Sequence, residues 1–354
     1  MQREYDILVV GAGPAGSSAA LAAAKKGLRV LLVERKRTVG VPVRCAEYIP
    51  KALLGNLPFA DRSFVVQPVE GMRTILPDGT VHEKRAPGLM IQRDRLDGLL
   101  AETAREQGAE LLLETRFVGV EDGQAVLKMP DGSFARIKAG IIIGADGPHS
   151  RVGISMGSLV ERLVPAVQVR AHLVGPMDHT EVYFDPRFYG GYGWLFPKGE
   201  EANIGVAVVR RGEQSISLRS ALQWFLDALK KSGRIKGEAH GLTAGLIPVT
   251  PVARSVRGGM VLVGDAAGQT HPITGAGVPQ AILCGRLAGK WAARAALEDD
   301  LRLLEEYEKA WQEDYGESLD RACERRRLLE ANWDRLEHIL PRCWVTFREY
   351  YERS

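Results

Sequence analysis

Asp6-Ile-Leu-Val-Val-Gly-Ala-Gly-Pro-Ala-Gly16 lies at the start of the chain and decides how the rest is read. Ile7 to Val10 is an apolar run of the length one buried strand needs. Gly11, Gly13 and Gly16 follow at G-x-G-x-x-G spacing, with Pro14 and Ala15 between them, and Ser17 to Lys26 predicts a helix of small residues. Gly11 makes the tight turn out of the strand, Gly13 lets a pyrophosphate approach the backbone, and Gly16 lets helix and strand pack closely. Free N–H groups at the helix start then favour an anion. A second strand, Arg29 to Val33, ends at Glu34, 18 residues after Gly16, where a carboxylate accepts hydrogen bonds from a ribose. Strand, glycines, helix, strand and terminal acid together predict a dinucleotide-binding unit.

The bulk numbers agree with a soluble two-unit protein. The chain has 354 residues, 45% hydrophobic and 26% charged, with a formal net charge of +3. That length buries a large core, and so small a charge gives no reason to expect nucleic-acid binding. The four cysteines contain no C-x-x-C pair, which argues against a zinc site or disulfide framework and predicts no bound metal. Ile7 to Ala24 approaches membrane-spanning length, but three glycines, a proline and two serines break it. Glu4 and Asp6 precede it, unlike a signal peptide. A cytoplasmic protein is expected, at most peripheral to the inner face of a membrane.

After Glu34 comes a basic loop, Arg35 to Pro50, that holds Val41-Pro-Val-Arg-Cys-Ala-Glu-Tyr48. Phe64 to Lys84 reads as strands about a turn at Pro77-Asp78-Gly79. Arg93 opens a helix with Leu96, Leu99, Leu100 and Ala104 on one face. Turns at Asp122-Gly123 and Asp131-Gly132 mark a hairpin region from Phe117 to Ile137. A buried strand, Gly140 to Ile143, runs into Gly144-Ala-Asp-Gly147. Residues 160 to 255 carry strands and one helix but no nucleotide motif, so they are assigned to substrate. Met260 to Val263 is a strand followed by Gly264-Asp265, and Pro272, Gly275, Ala276 and Gly277 precede a helix. In the tail, Leu304, Tyr307, Trp311, Tyr315 and Leu319 form an apolar stripe expected to pack on the body. Arg325, Arg326 and Arg327 read as a solvated face. The boundaries expected are a cofactor domain over 1–158 and 257–299, a substrate domain over 159–256, and a helical segment over 300–354.

The three glycine-bearing motifs at 11–16, 144–147 and 264–277, in this order, resemble the FAD-dependent oxidoreductases of the para-hydroxybenzoate hydroxylase fold. The resemblance implies an α/β chain: a three-layer Rossmann-like FAD domain, an inserted mixed β-sheet substrate domain and a C-terminal helical segment. It implies that Glu34 holds the adenosine ribose, Arg93 lies near the pyrophosphate, and Asp265 bonds the ribityl chain. Pro272 to Gly277 would present N–H groups to the flavin N1/O2 edge, favouring reduced flavin. Arg35, Arg44, Cys45, Ala46, Phe117, Val118, Ala145, Asp146, Gly147 and Gly264 complete the expected FAD contacts. With one G-x-G-x-x-G, a separate NAD(P)H domain is not expected.

Two features narrow the resemblance. Tyr192-x-Trp194-x-Phe196-Pro197 is similar to the Y-x-W-x-F-P motif of geranylgeranyl reductases. Alternation puts Tyr192, Trp194 and Phe196 on one strand face, an apolar wall suited to a prenyl chain; without the resemblance the same residues read as core. Pro42-x-x-Cys45 also resembles that branch, although its usual glycines are replaced by Ala46, Glu47 and Tyr48. The resemblance implies FAD-dependent reduction of carbon–carbon double bonds in a prenylated lipid or other apolar small molecule, with NAD(P)H or ferredoxin as electron donor. Cys45, Glu47, Tyr48 and His271 are the candidate proton donors, because an isolated alkene takes up hydride only with near-simultaneous protonation. The competing readings are an NAD(P)H- and O2-dependent flavin monooxygenase and a flavoprotein passing electrons to a quinone or protein partner.

Overall fold

Strand parity organises the first half of the molecule. The computed structural model describes residues 3–211 and 216–352. In the strand Glu4–Val10, Ile7 and Val9 enter one core while Leu8 and Val10 enter another. Successive side chains leave opposite faces, so a continuous apolar run is covered on both sides. The parallel sheet runs Met260–Leu262, Phe134–Gly144, Glu4–Val10, Val30–Val33, Glu110–Leu112. One face is covered by helices Pro14–Ala24 and Val278–Glu298, which come close because both present small residues. A Cβ at Gly285 would overlap the Ala15 carbonyl, and one at Gly289 the Ala19 carbonyl. The other face is covered by an antiparallel layer, Arg116–Glu121 with Gln124–Lys128 and the start of Phe134–Gly144. This is the expected three-layer arrangement.

The second sheet has eight strands, ordered Ile235–Pro248, Leu163–Leu173, Glu201–Ala207, Gly193–Lys198, His179–Tyr183, Val65–Ile75, Val81–Ile91, Tyr48–Pro50. It is mixed, as expected: His179–Tyr183 runs parallel to Gly71–Ile75 and the other pairs are antiparallel. It is not confined to 159–256, because three of its strands come from 48–91. The alternating pattern of Val65–Ile75 specifies a strand but not its partner. The helix Leu218–Lys231 covers one face of this sheet, against Leu195, Ile204 and Val206.

The tail covers part of both units. Leu304, Tyr307, Trp311 and Leu319 of the stripe join the core of the parallel sheet. Further on, Leu329, Trp333, Leu336, Leu340 and Trp344 join a core with Trp194 and Phe196 on the face of the second sheet opposite Leu195. Arg325 and Arg326 are buried and only Arg327 is exposed, which corrects the expected solvated face. Arg326 falls on the buried side because it continues the three- and four-residue steps of the stripe, after Leu319 and Ala322 and before Leu329.

Candidate active site

The three glycine motifs, far apart in sequence, meet around residues 11–15. A Cβ on Gly11 would overlap the Ala145 carbonyl, so the second motif passes hard against the first. Gly264, at φ +66, brings the third motif to the Ala15 side chain, 2.9 Å from where its own Cβ would stand. Gly13 is different: nothing lies within 4 Å of a Cβ built there, and it opens the Pro14–Ala24 helix without a side-chain cap. An open space facing uncapped N–H groups is what a pyrophosphate requires. Glu34 is buried at the end of Val30–Val33, and its carboxylate accepts from Ala12 N at 3.0 Å and Lys36 N at 3.0 Å. Those bonds aim the carboxylate at the glycine turn. Thr115 N donates to the Glu34 carbonyl, which brings the start of the next strand beside the same end. Phe117 itself is packed in the core of the antiparallel layer, leaving the backbone at 117–118 as the part able to face a cofactor.

Asp146 accepts from Ser150 Oγ at 2.5 Å and Arg151 N at 2.6 Å, while burial raises its pKa. Gly147, at φ +87, turns the chain beyond it. Asp265 accepts from Thr270 Oγ1 at 2.7 Å. Burial raises its pKa too, opposed by Thr270 and by the charge of Arg93. Beyond it, Gly275 N donates to His271 O and His271 N to Ala276 O, closing the loop that leads into Val278–Glu298. That helix starts at Gly277 with no side-chain cap. The residues present therefore fit FAD: an open glycine cradle, an acid where the ribose is expected, a half-buried aspartate and a second uncapped helix start.

Arg93 binds Asp97 through Nε and a terminal nitrogen, both at 3.0 Å. Burial works against its charge, but Asp97 and Cys45 outweigh it and raise its pKa. Arg35 and Arg44 are exposed and line an open cleft of about 400 Å³ with Asp146, His149, Ala166 and Leu246. The cleft opens between the cofactor loops and the second sheet.

The Cys45 loop is fixed from the second sheet. Trp194 Nε1 donates to Gln168 Oε1 at 3.0 Å, and Gln168 Nε2 donates to the Cys45 carbonyl at 3.1 Å. Glu47 is buried at φ +68; its carboxylate binds Lys198 Nζ at 2.5 Å, Asn203 Nδ2 at 2.9 Å and Arg93 N at 2.9 Å. Asn203 also donates to the Ala46 carbonyl. Tyr48 packs edge-on against Phe196, with ring centres 6.3 Å apart, and burial raises its pKa. His271 sits between Thr274 Oγ1 at 3.1 Å and Tyr350 Oη at 3.3 Å, and burial lowers its pKa to about 4. Tyr192 Oη donates to the Thr274 carbonyl at 2.5 Å. The structure thus groups Cys45, Glu47 and Tyr48 with Trp194 and Phe196, and groups His271 with Tyr192. Pro197 is buried in the same strand.

Gln168, Lys198, Asn203 and Thr270 escaped the sequence reading. Lys198 had a signal: it continues the parity of Tyr192, Trp194 and Phe196. Gln168 and Asn203 had none, because an isolated amide in a strand says nothing about its partner.

A fold of this kind, with one glycine cradle and a half-buried aspartate before a second helix start, defines an FAD-dependent oxidoreductase. The family model for FAD dependent oxidoreductases matches residues 6–147. Digeranylgeranylglycerophospholipid reductase 1 of Methanopyrus kandleri is 38% identical over 340 residues, covering 91% of this chain and 89% of that protein. A geranylgeranyl bacteriochlorophyll reductase-like protein of Thermoplasma acidophilum superposes with a TM-score of 0.84 at 30% identity, over 95% of this chain and 91% of that one. The chain belongs to the geranylgeranyl reductase family of these flavoproteins. PqsL, a probable FAD-dependent monooxygenase of Pseudomonas aeruginosa, has a TM-score of 0.68 at 17% identity over 95% of this chain and 99% of that one, which shows shared fold alone.

Proposed function

We propose that this chain saturates carbon–carbon double bonds in the isoprenoid chains of a digeranylgeranylglycerophospholipid. The observation that carries this reading is the Tyr192–Thr274 hydrogen bond, which joins the apolar wall to the loop that fits the flavin edge. Relatives named for that lipid align with 90% of this chain or more. Bound FAD, once reduced, supplies the hydride. The chain's own part is to orient the alkene and to provide a proton.

The wall of Tyr192, Trp194 and Phe196 orients the prenyl chain, an entropic contribution. Gln168 and Asn203 hold the Cys45 loop beside it. Glu47 is committed to Lys198, so it positions that loop rather than giving up a proton. Tyr48, whose ring packs edge-on against Phe196 and whose pKa burial raises, holds a proton beside the wall. His271 is neutral and orients the 271–277 loop. Arg35 and Arg44 supply cations for a phosphate at the cleft mouth. Among the described residues no helix is long and apolar enough to cross a membrane.

The test is anaerobic. The FAD-loaded protein is photoreduced and mixed with a digeranylgeranylglycerophospholipid, a prenylquinone or neither, and flavin reoxidation and product mass are recorded. The reading expects lipid mass to rise by one H2 per bond. A product that gains oxygen, and only when air is admitted, would make the chain a monooxygenase. Reoxidation by quinone without lipid product would make it an electron carrier. Separate arms reduced by NADPH or by ferredoxin identify the donor.

A further inference from the structure

Arg326 is buried, yet it belongs to a tail helix that carries no recognisable motif. One terminal nitrogen donates to the Pro272 carbonyl at 3.0 Å, and the other donates to the Gly190 carbonyl. Its Nε lies 2.9 Å from Glu330 Oε1, and Glu330 is held in turn by Arg162 at 2.8 Å. Pro272 begins the loop that ends at the uncapped start of Val278–Glu298. Gly190 lies two residues before Tyr192 and has φ +68. A single guanidinium therefore joins three segments: the tail helix, the flavin-edge loop and the head of the wall strand. Tyr192 Oη to the Thr274 carbonyl is a second, parallel tie between the same loop and strand.

Burying an arginine is costly unless its donors are used. Here the planar fork spans two carbonyls that belong to different segments, which lysine's single ammonium does not reproduce. Both acceptors are backbone atoms, so the contact fixes main-chain position. The loop's chemical value lies in where its N–H groups point, because dipole stabilisation falls off within about one helical turn.

Resting on the reading of this site as FAD-binding, we infer that Arg326 is a positioning residue for the flavin. It sets the 272–277 loop so that the helix start at Gly277 favours the reduced over the oxidised cofactor. Arg326 acts through that loop and touches no reacting atom.

The test uses the full chain reconstituted with FAD. Midpoint potential is measured by anaerobic spectroelectrochemistry, alongside the visible flavin spectrum and the thermal midpoint. The variants are Arg326→Lys, Arg326→Met and Tyr192→Phe, with Arg162→Ala as the control that disturbs Glu330 but not the loop. Arg326→Lys is expected to weaken the preference for reduced flavin about tenfold, a fall of about 30 mV for a two-electron couple. Arg326→Met should fall at least as far, Tyr192→Phe should fall in the same direction, and Arg162→Ala should stay at the wild-type potential. If Arg326→Met does not fold, the lysine variant decides. A lysine variant with lowered thermal midpoint but wild-type potential and spectrum overturns the proposal and leaves the FAD site standing. Wild-type protein that stays colourless with excess FAD overturns both.

Discussion

Lys198 Nζ lies 2.5 Å from Glu47 Oε2, an ion pair between the last residue of the wall strand and the left-handed residue after the Cys45 loop. Asn203 and the Arg93 amide complete the shell around the carboxylate. The pair turns a potential proton donor into a fastening. It also links the ends of the two stretches that narrow the resemblance, Pro42-x-x-Cys45 and the Tyr192–Pro197 motif.

Replacing Lys198 by Met should therefore be costly in a way that removing both partners is not. The lone substitution leaves a buried carboxylate uncompensated, and such losses run to about 3–5 kcal/mol. The double variant Lys198→Met with Glu47→Gln should recover much of it. Denaturant midpoints of the three proteins measure this. Equal midpoints for all three proteins would show the pair to be energetically idle.

Trp194→Phe keeps the apolar wall but removes the indole donor. Gln168 Oε1 is then left unpaired in the interior, and Gln168 is what holds the Cys45 carbonyl. The expected loss is about 1–3 kcal/mol of stability. Turnover should fall with little change in KM, since an aromatic ring still fills the wall beside Phe196. Gln168→Leu should give the same kinetic pattern; a KM effect alone in either variant would place Trp194 in substrate contact only.

How far these contacts could be foreseen depends on their range. Ile7 to Val10, the glycines at 11–16 and Gly264-Asp265 were legible because cofactor binding demands particular residues in consecutive positions. The face shared by Tyr192, Trp194 and Phe196 followed from parity. The pairing of Val65–Ile75 with His179–Tyr183 did not follow, because alternation marks a strand without naming its neighbour. Lys198 and Glu47 are 151 residues apart, and nothing local in either announces the other. Arg326 was hidden by company: three consecutive arginines read as solvated, although helical steps from Leu319 through Ala322 put the middle one inside.

His271 gives a pH prediction. Burial lowers its pKa from the usual 6.5 to about 4. Between those values the unfolded chain binds a proton that the folded chain does not, so stability rises with pH across that window. The contribution is fully present above pH 6.5 and is lost as pH falls toward 4. Its size is on the order of 3 kcal/mol. His271→Gln should flatten the stability curve between pH 4 and 6.5 relative to wild type. A variant curve parallel to wild type would mean that other groups carry the acid sensitivity.

Gly11 and Gly13 separate folding from cofactor binding. Gly11 has φ +100, and a Cβ there would overlap the Ala145 carbonyl, so Gly11→Ala should fail to give stable protein. Gly13 has φ −72 with open space around it, a conformation any residue adopts. Gly13→Val should therefore fold with an unchanged thermal midpoint in the absence of FAD. Its side chain would occupy the space facing the uncapped helix start, where the pyrophosphate has to come close to the backbone. FAD affinity should fall by at least about a hundredfold, on the order of 3 kcal/mol. Titration of the apo-protein, followed by flavin fluorescence quenching, measures this directly. Full-strength FAD binding by Gly13→Val would move the pyrophosphate away from this turn, and the assignment of the first glycine motif with it.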